Sequence, residues 1–340
     1  MSITLPEAQI IPLHGGPVLN WGVLAPGRIA GSWVSTVHAN TDQKVVAVAS
    51  RTLERAEEFA RTHGIEHAYG DYAQVVENTA VDVVYIAAPH SEHETLALLA
   101  IGAGKHVLIE KPISTSVASA RRIVDAARAA GVFAMEAMWS RFLPQTSIVA
   151  ALLAREEFGE LVSVDADFGV QFDFDPRDRM FAPELGGGAL LDLGVYPAWF
   201  LHFVLGAPKS VTTRGSLAAT GVDAQSTSIL EFDTDVQGIM TTNLRATTPQ
   251  IARINGTRAR LEYTGPFLGP SGFRVVAPGL DPVEWFDRSG FSWGEGLCYQ
   301  VPAVAQHIAD GLTESPLHSL DDSLEILAVL DEGRAQLGAI

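Results

Sequence analysis

Cysteine is all but missing: Cys298 stands alone among 340 residues. One thiol forms no intrachain disulfide and supplies no cysteine-based zinc site, so stapled scaffolds and zinc modules are excluded and the cytoplasm is the default compartment. Positive charge is scarce as well. Lys and Arg number 23 against 40 Asp and Glu, and the formal net charge of −17 opposes both a phosphate backbone and an anionic membrane surface. Neither nucleic acid nor a membrane is an expected partner. Apolar runs such as 81–89 fall well short of the roughly 20 residues that a spanning helix needs. The first twenty residues lack the basic start and unbroken apolar core of a signal peptide, and Pro6, Glu7, Pro12 and Gly15-Gly16-Pro17 interrupt them. Residues 1–17 therefore read as a leader to the first strand. No internal repeat or low-complexity tract is visible.

What is present is enough apolar material for a full interior, 47% hydrophobic residues with 19% charged, in a chain longer than one core usually organises. Two domains are expected. From 18 to 138, short apolar runs (18–24, 45–49, 81–88, 106–109, 132–135) alternate with amphipathic stretches (29–39, 53–63, 72–78, 92–103, 117–130). Strands without alternation, separated by helices, belong to a parallel sheet covered on both faces, a doubly wound α/β domain. Ser91 with Glu94 reads as a capping box, and Gly131 as a helix stop. From 139 to 340 the texture is α+β. A helix at 150–157, a strand at 161–172 and a helix after Gly186-Gly187-Gly188 precede alternating segments at 226–232, 238–245, 251–255 and 259–263. These predict a large, mostly antiparallel open sheet. Helices at 300–311 and 321–338 close the chain, the last a candidate to pack back on the first domain.

The turn after the first strand, Ala25-Pro26-Gly27-Arg28-Ile29-Ala30, is a degenerate dinucleotide fingerprint with Ala25 in place of the first glycine. Gly27 is the position where a side chain would block a pyrophosphate from the N–H groups opening the next helix. At the end of the second strand, Ser50-Arg51-Thr52 stands where an NAD-binding protein usually has a carboxylate, with Arg55 one turn on. A guanidinium and a hydroxyl receive a 2′-phosphate that a carboxylate would repel, so NADP is the expected cofactor, with NAD weaker. The fourth strand ends Ala88-Pro89-His90-Ser91-Glu92-His93 and the fifth Glu110-Lys111-Pro112, at strand ends where open α/β sheets bind ligands. Only four lysines exist, so Lys111 closing a buried strand is the catalytic candidate. His90 and His93 lack a third convergent ligand, and no metal is expected. Asp192 and Tyr196 are four apart on an otherwise apolar helix and share a face. That spacing suits a structural hydrogen bond and a proton-handling pair equally.

These strings, together with Met135-Glu136-Ala137-Met138-Trp139-Ser140-Arg141-Phe142 and Gly186 through Tyr196, resemble the Gfo/Idh/MocA oxidoreductases in order and over nearly all of the chain after the leader. The closest resemblance is to the dihydrodiol dehydrogenase and NADP-dependent D-xylose 1-dehydrogenase branch. It implies a Rossmann domain and a C-terminal domain that supplies substrate contacts and an oligomer interface, in a homodimer or homotetramer. It also implies Lys111 and Tyr196 as catalytic pair with Asp192 beside them. Pro89, His93, Glu110 and Glu136 would line the cofactor, and Trp139, Arg141, Phe142 and Arg177 would face the substrate. Trp139 and Phe142 read equally as core, and Arg141 as the partner of an acid. The expected reaction is hydride transfer between NADP and a small sugar or polyol, foremost an aldose oxidised at C1. Alternatives are a dihydrodiol or inositol-type alcohol, a dicarbonyl sugar reduced, or a sensor without turnover. Retention of both Lys111 and Tyr196 disfavours the sensor, and the lack of a G-x-S-x-G elbow disfavours a hydrolase.

Overall fold

A computed structural model describes residues 3–340. They divide into two compact units, one of 10–142 with 291–324, the other of 143–290 with 325–340 and the described residues up to Gln9.

In the first unit, β1 (Asn20–Leu24), α1 (Arg28–Asn40), β2 (Lys44–Ala49), α2 (Leu53–His63), β3 (His67–Tyr69), α3 (Tyr72–Glu77), β4 (Val83–Ile86), α4 (His93–Gly102), β5 (His106–Ile109), α5 (Val117–Ala130) and β6 (Ala134–Glu136) follow in turn. The sheet order is β3-β2-β1-β4-β5-β6, with every pair parallel. Strand order reverses on either side of β1, so the carboxyl ends of β1 and β4 flank the crevice where such sheets bind ligands. Val83–Ile86 is buried throughout, as a strand covered on both faces must be. Trp33 stacks on Tyr85 at 4.2 Å and meets Trp21 edge-on at 5.3 Å. Gly131 ends α5 in the left-handed region as expected. The expected capping box at Ser91 and Glu94 does not form. Glu94 instead takes Ser119 Oγ (2.6 Å) and the Arg122 guanidinium from α5, stronger donors than a backbone N–H.

In the second unit, α6 (Pro144–Ala154), β7 (Leu161–Gly169) and α7 (Val195–Leu205) precede β8 (Ser210–Leu217), β9 (Asp223–Glu231), β10 (Gln237–Asn243), β11 (Ala252–Gly256), β12 (Arg260–Tyr263), β13 (Gly272–Val276) and β14 (Val283–Phe286). They form one sheet, β14-β13-β12-β11-β7-β10-β9-β8, antiparallel except for the pair β7 and β10. Residues alternate strictly along β9: Gln225, Thr227, Ile229 and Glu231 are exposed while Ser226, Ser228 and Leu230 are buried. One face packs under α7 and the other lies open. Edge strand β8 is blunted by Gln336, which accepts from Thr213 N–H (2.7 Å) and donates to Val211 C=O (2.7 Å). The helical stretch from Pro183 to Leu205 is apolar enough to cross a membrane by length and composition, but 78% of its apolar window is buried, which makes it a core helix.

Residues 291–324 return to the first unit with α8 (Gln300–Ala309). Thr36 Oγ1 donates to Glu295 C=O (3.0 Å), and Ala134 N–H donates to Thr313 C=O (3.0 Å), covering the β6 edge. Arg128 pairs with Glu314 (3.2 Å) and Asp321 (3.0 Å). The last helix, α9 (Leu320–Leu337), belongs to the first unit up to Leu324 and to the second from Glu325. Compactness thus divides the chain after Gln9, Phe142 and Gly290 and again inside α9.

Candidate active site

Beyond β1, Ala25 takes the left-handed conformation (φ 61°) and donates its N–H to Ala49 C=O (3.0 Å). The first glycine of the fingerprint exists for this backbone; alanine adopts it at a strain of about 1 to 2 kcal/mol. Gly27 caps α1 in extended conformation, no side chain caps that helix, and its first turn carries no acidic residue. A Cβ on Gly27 would meet no protein atom within 4 Å. The glycine therefore keeps open the space before uncapped N–H groups, a cradle that fits a pyrophosphate. Arg28 is exposed and Ile29 half-buried beside it.

Beyond β2, Ser50 is buried and donates its N–H to Tyr69 C=O (3.1 Å), while Arg51 and Arg55 are exposed. Burial raises the Tyr72 phenol above its ordinary pKa. The charge of Arg51 pulls it back, Glu92 adds to the rise, and Arg55 opposes again. The charges of both guanidinium groups thus reach the same phenol at the start of α3.

Beyond β4 and β5, Ala88 and His90 are buried, Pro89 is half-buried and His93 is wholly enclosed. His93 Nδ1 lies 2.9 Å from Pro112 C=O and Nε2 lies 3.0 Å from Ala88 C=O. Burial holds its pKa down, against those carbonyls and the Glu136 charge, and both ring nitrogens are occupied. Glu110 accepts Tyr85 Oη–H (2.5 Å) and the Lys111 N–H (3.2 Å). Glu136 accepts the Ile113 N–H (2.8 Å) and sits 3.1 Å from His318 Nε2. Three side chains expected along the cofactor, His93, Glu110 and Glu136, are therefore the anchors of the 110–113 turn that presents the half-buried Lys111. Buried carboxylates satisfy themselves on the nearest N–H groups. Trp139 is enclosed and meets Trp293 edge-on (5.2 Å), Phe142 is buried, and desolvation brings the Arg141 guanidinium down to about 10 with Asp322 opposing.

In the second unit, Gly186, Gly187 and Gly188 lead through Ala189 into a π-turn, Leu190–Gly194, which runs on into α7. Asp192 and Tyr196 are both buried, and the Tyr196 ring meets Phe168 edge-on at 5.5 Å. Arg179 Nη1 donates to Asp192 Oδ1 (2.9 Å). Arg177 is not brought to this pair. It is 89% exposed and bound to Asp175, whose carboxylate also takes the Arg177 N–H (2.9 Å). That local turn points Arg177 outward and leaves Asp192 to Arg179, an outcome that spacing cannot reveal. Tyr85, whose hydroxyl holds Glu110, is not among the candidates above, though a tyrosine in an otherwise aliphatic strand is a usable signal. His318, far along the chain, left none.

The comparisons with known proteins agree with this architecture. Residues 19–138 match the model of the oxidoreductase family with NAD-binding Rossmann fold, and 147–262 match the GFO/IDH/MocA C-terminal domain. The chain is 38% identical over 329 residues to a trans-1,2-dihydrobenzene-1,2-diol dehydrogenase of Xenopus laevis, covering 94% of this chain and 98% of that one. It is 33% identical over 332 residues to the Homo sapiens protein of that name, covering 94% and 97%. Among solved structures, a 3-ketoreductase of Actinomadura kijaniata, in complex with NADP and TDP-benzene, superposes with TM-score 0.80 at 27% identity, covering 93% and 97%. The chain belongs to the Gfo/Idh/MocA family, as an NAD(P)-dependent oxidoreductase of the sugar and diol class.

Proposed function

We propose that this protein is an NADP-dependent dehydrogenase that oxidises a ring hydroxyl flanked by a second oxygen function, foremost an aldose at C1. The observation that carries the reading is the buried carboxylate and phenol on one apolar helix, Asp192 held by Arg179 and Tyr196 four residues on. An ion pair placed among apolar side chains suits the recognition of hydroxyl groups. A specific observation favours a second substrate: relatives more than 30% identical over 94% of this chain are named for trans-1,2-dihydrobenzene-1,2-diol, which also presents adjacent ring hydroxyls.

When bound, the dinucleotide supplies the hydride acceptor at nicotinamide C4. Tyr196 accepts the proton of the reacting hydroxyl as the carbonyl forms, and returns it in the reverse direction. A phenol with an ordinary pKa near 10 needs a cation to act as a base at neutral pH, and Lys111 is assigned that part. Asp192, oriented by Arg179, accepts a hydrogen bond from the neighbouring hydroxyl. Arg51, Arg55 and Ser50 would hold the 2′-phosphate, and the uncapped start of α1 behind Ala25 and Gly27 would hold the pyrophosphate. The protein works in the cytoplasm, where NADP is available, as a dimer that covers the open sheet face. A screen of pentoses, hexoses, inositols and trans-dihydrodiols, followed by NADPH absorbance with both cofactors, tests the reading. Flat traces throughout would overturn it.

A further inference from the structure

The turn that leads into Tyr196 is held from the sheet by two buried side chains that have no part in the chemistry just proposed. Asp223, the first residue of β9, accepts the Leu190 N–H on Oδ2 (2.7 Å). Thr242, on the neighbouring β10, donates Oγ1–H to Ala189 C=O (3.3 Å). Both groups they hold lie at the entrance of the π-turn Leu190–Gly194, where the ordinary helical bonding is weak: Asp192 N–H reaches Gly188 C=O only at 3.4 Å. The third glycine of the run makes the contact with Asp223 feasible. Gly188 has φ +118°, and a Cβ there would run into Asp223 Oδ1. That second oxygen has no hydrogen-bond partner among the described residues.

Keeping a carboxylate here opposes its own solvation. Burial pushes the Asp223 carboxyl up to about 6, while the Leu190 N–H, the Arg334 charge from α9 and the N–H groups of Asp223 and Ala189 pull it back. A neutral side chain would be easier to bury.

We infer that Asp223, assisted by Thr242, is a positioning residue that fixes the phase of the π-turn and so sets where Asp192 and Tyr196 are presented. In a helix one residue is about 100° of rotation, so a slip in this turn would swing both functional side chains away from their direction. The inference rests on the reading of Tyr196 as the acid–base group.

The test is steady-state turnover of D-xylose, or of trans-1,2-dihydrobenzene-1,2-diol if the screen selects it, with NADP. Asp223→Ala should lower kcat about 10- to 100-fold, the scale of small misplacements of reacting groups. It should shift the pH limb of kcat and leave NADPH affinity, read by fluorescence titration, within about twofold. Asp223→Asn keeps an oxygen for the Leu190 N–H and should restore kcat to within about threefold and return the pH limb. Thr242→Val should lose about threefold or more and serves if Asp223→Ala fails to fold. Folded Asp223→Ala or Thr242→Val with wild-type kcat and pH profile overturns the inference, as does equal loss in Asp223→Asn and Asp223→Ala. Tyr196→Phe is measured alongside. If it turns over normally, the acid–base reading itself has failed; if it is inactive while the Asp223 and Thr242 variants are normal, only the positioning role has failed.

Discussion

Replacing Arg51 by Ala should convert a strong preference for NADP into a weak one. The charges of Arg51 and Arg55, just beyond β2, both reach the Tyr72 phenol at the start of α3, and Ser50 next to Arg51 supplies a hydroxyl. Charge-assisted hydrogen bonds contribute about 1.5 to 3 kcal/mol each, and an exposed guanidinium falls at the low end because water and salt screen it. The expected loss for Arg51→Ala is therefore about 1.5 to 2 kcal/mol, roughly 10- to 30-fold in the NADPH dissociation constant, with Arg55→Ala losing less. NADH lacks the phosphate and should bind Arg51→Ala as it binds the wild type. Fluorescence titration of both reduced cofactors at two ionic strengths measures this directly. The NADPH difference should shrink at high salt. An equal loss for NADPH and NADH would remove Arg51 from the phosphate site and refute the reasoning.

Three further outcomes follow from the geometry. The Asp223 carboxyl, pushed from 3.8 to about 6 in the fold, is bound to its proton more tightly when folded than when unfolded. Stability relative to Asp223→Asn should accordingly fall as pH rises from about 4 to 7, by up to about 3 kcal/mol at 1.36 kcal/mol per tenfold change in proton affinity; parallel urea midpoints across that range would contradict it. Glu136→Ala strips acceptors from His318 and the Ile113 N–H in a buried setting, so the loss should be about 3 to 5 kcal/mol in urea unfolding, and a loss under 1 kcal/mol would show the anchor to be dispensable. Sedimentation should give twice the 36.3 kDa chain mass, and Ile229→Lys on the open sheet face should return it to monomer; a wild-type monomer at micromolar concentration would discard the dimer.

Local signals decided what could be read in advance. The helix 53–63 was legible to the residue because Gly64 ends it in the left-handed region, and 117–130 because Ser116 caps its start and Gly131 its end. Strand β3 escaped notice, being three half-buried residues at a sheet edge. Strands β8, β13 and β14 escaped for a related reason: they lie towards the ends of their sheet, β8 is mostly polar, and β13 and β14 are short. Among the candidate residues, Lys111, Asp192 and Tyr196 stood out by residue type against apolar surroundings. Their supports did not. Asp223 meets Leu190 across 33 positions, His318 meets Glu136 across 182, and no spacing rule links them. The choice of Arg179 over Arg177 turned on an Asp175 side chain that captures the nearer arginine.

The central claim is that Tyr196 moves the proton, and the most direct measurement is the pH dependence of kcat for oxidation in the wild type and in Tyr196→Phe. The wild-type rate should rise with pH to a plateau. Tyr196→Phe should lose about 10² to 10⁴ in rate, the range of general acid–base groups, with that limb abolished and NADPH affinity retained. Lys111→Met should abolish turnover in the same assay. Near-normal turnover of Tyr196→Phe with an unchanged pH profile would contradict the account and leave the buried phenol a structural partner of Phe168.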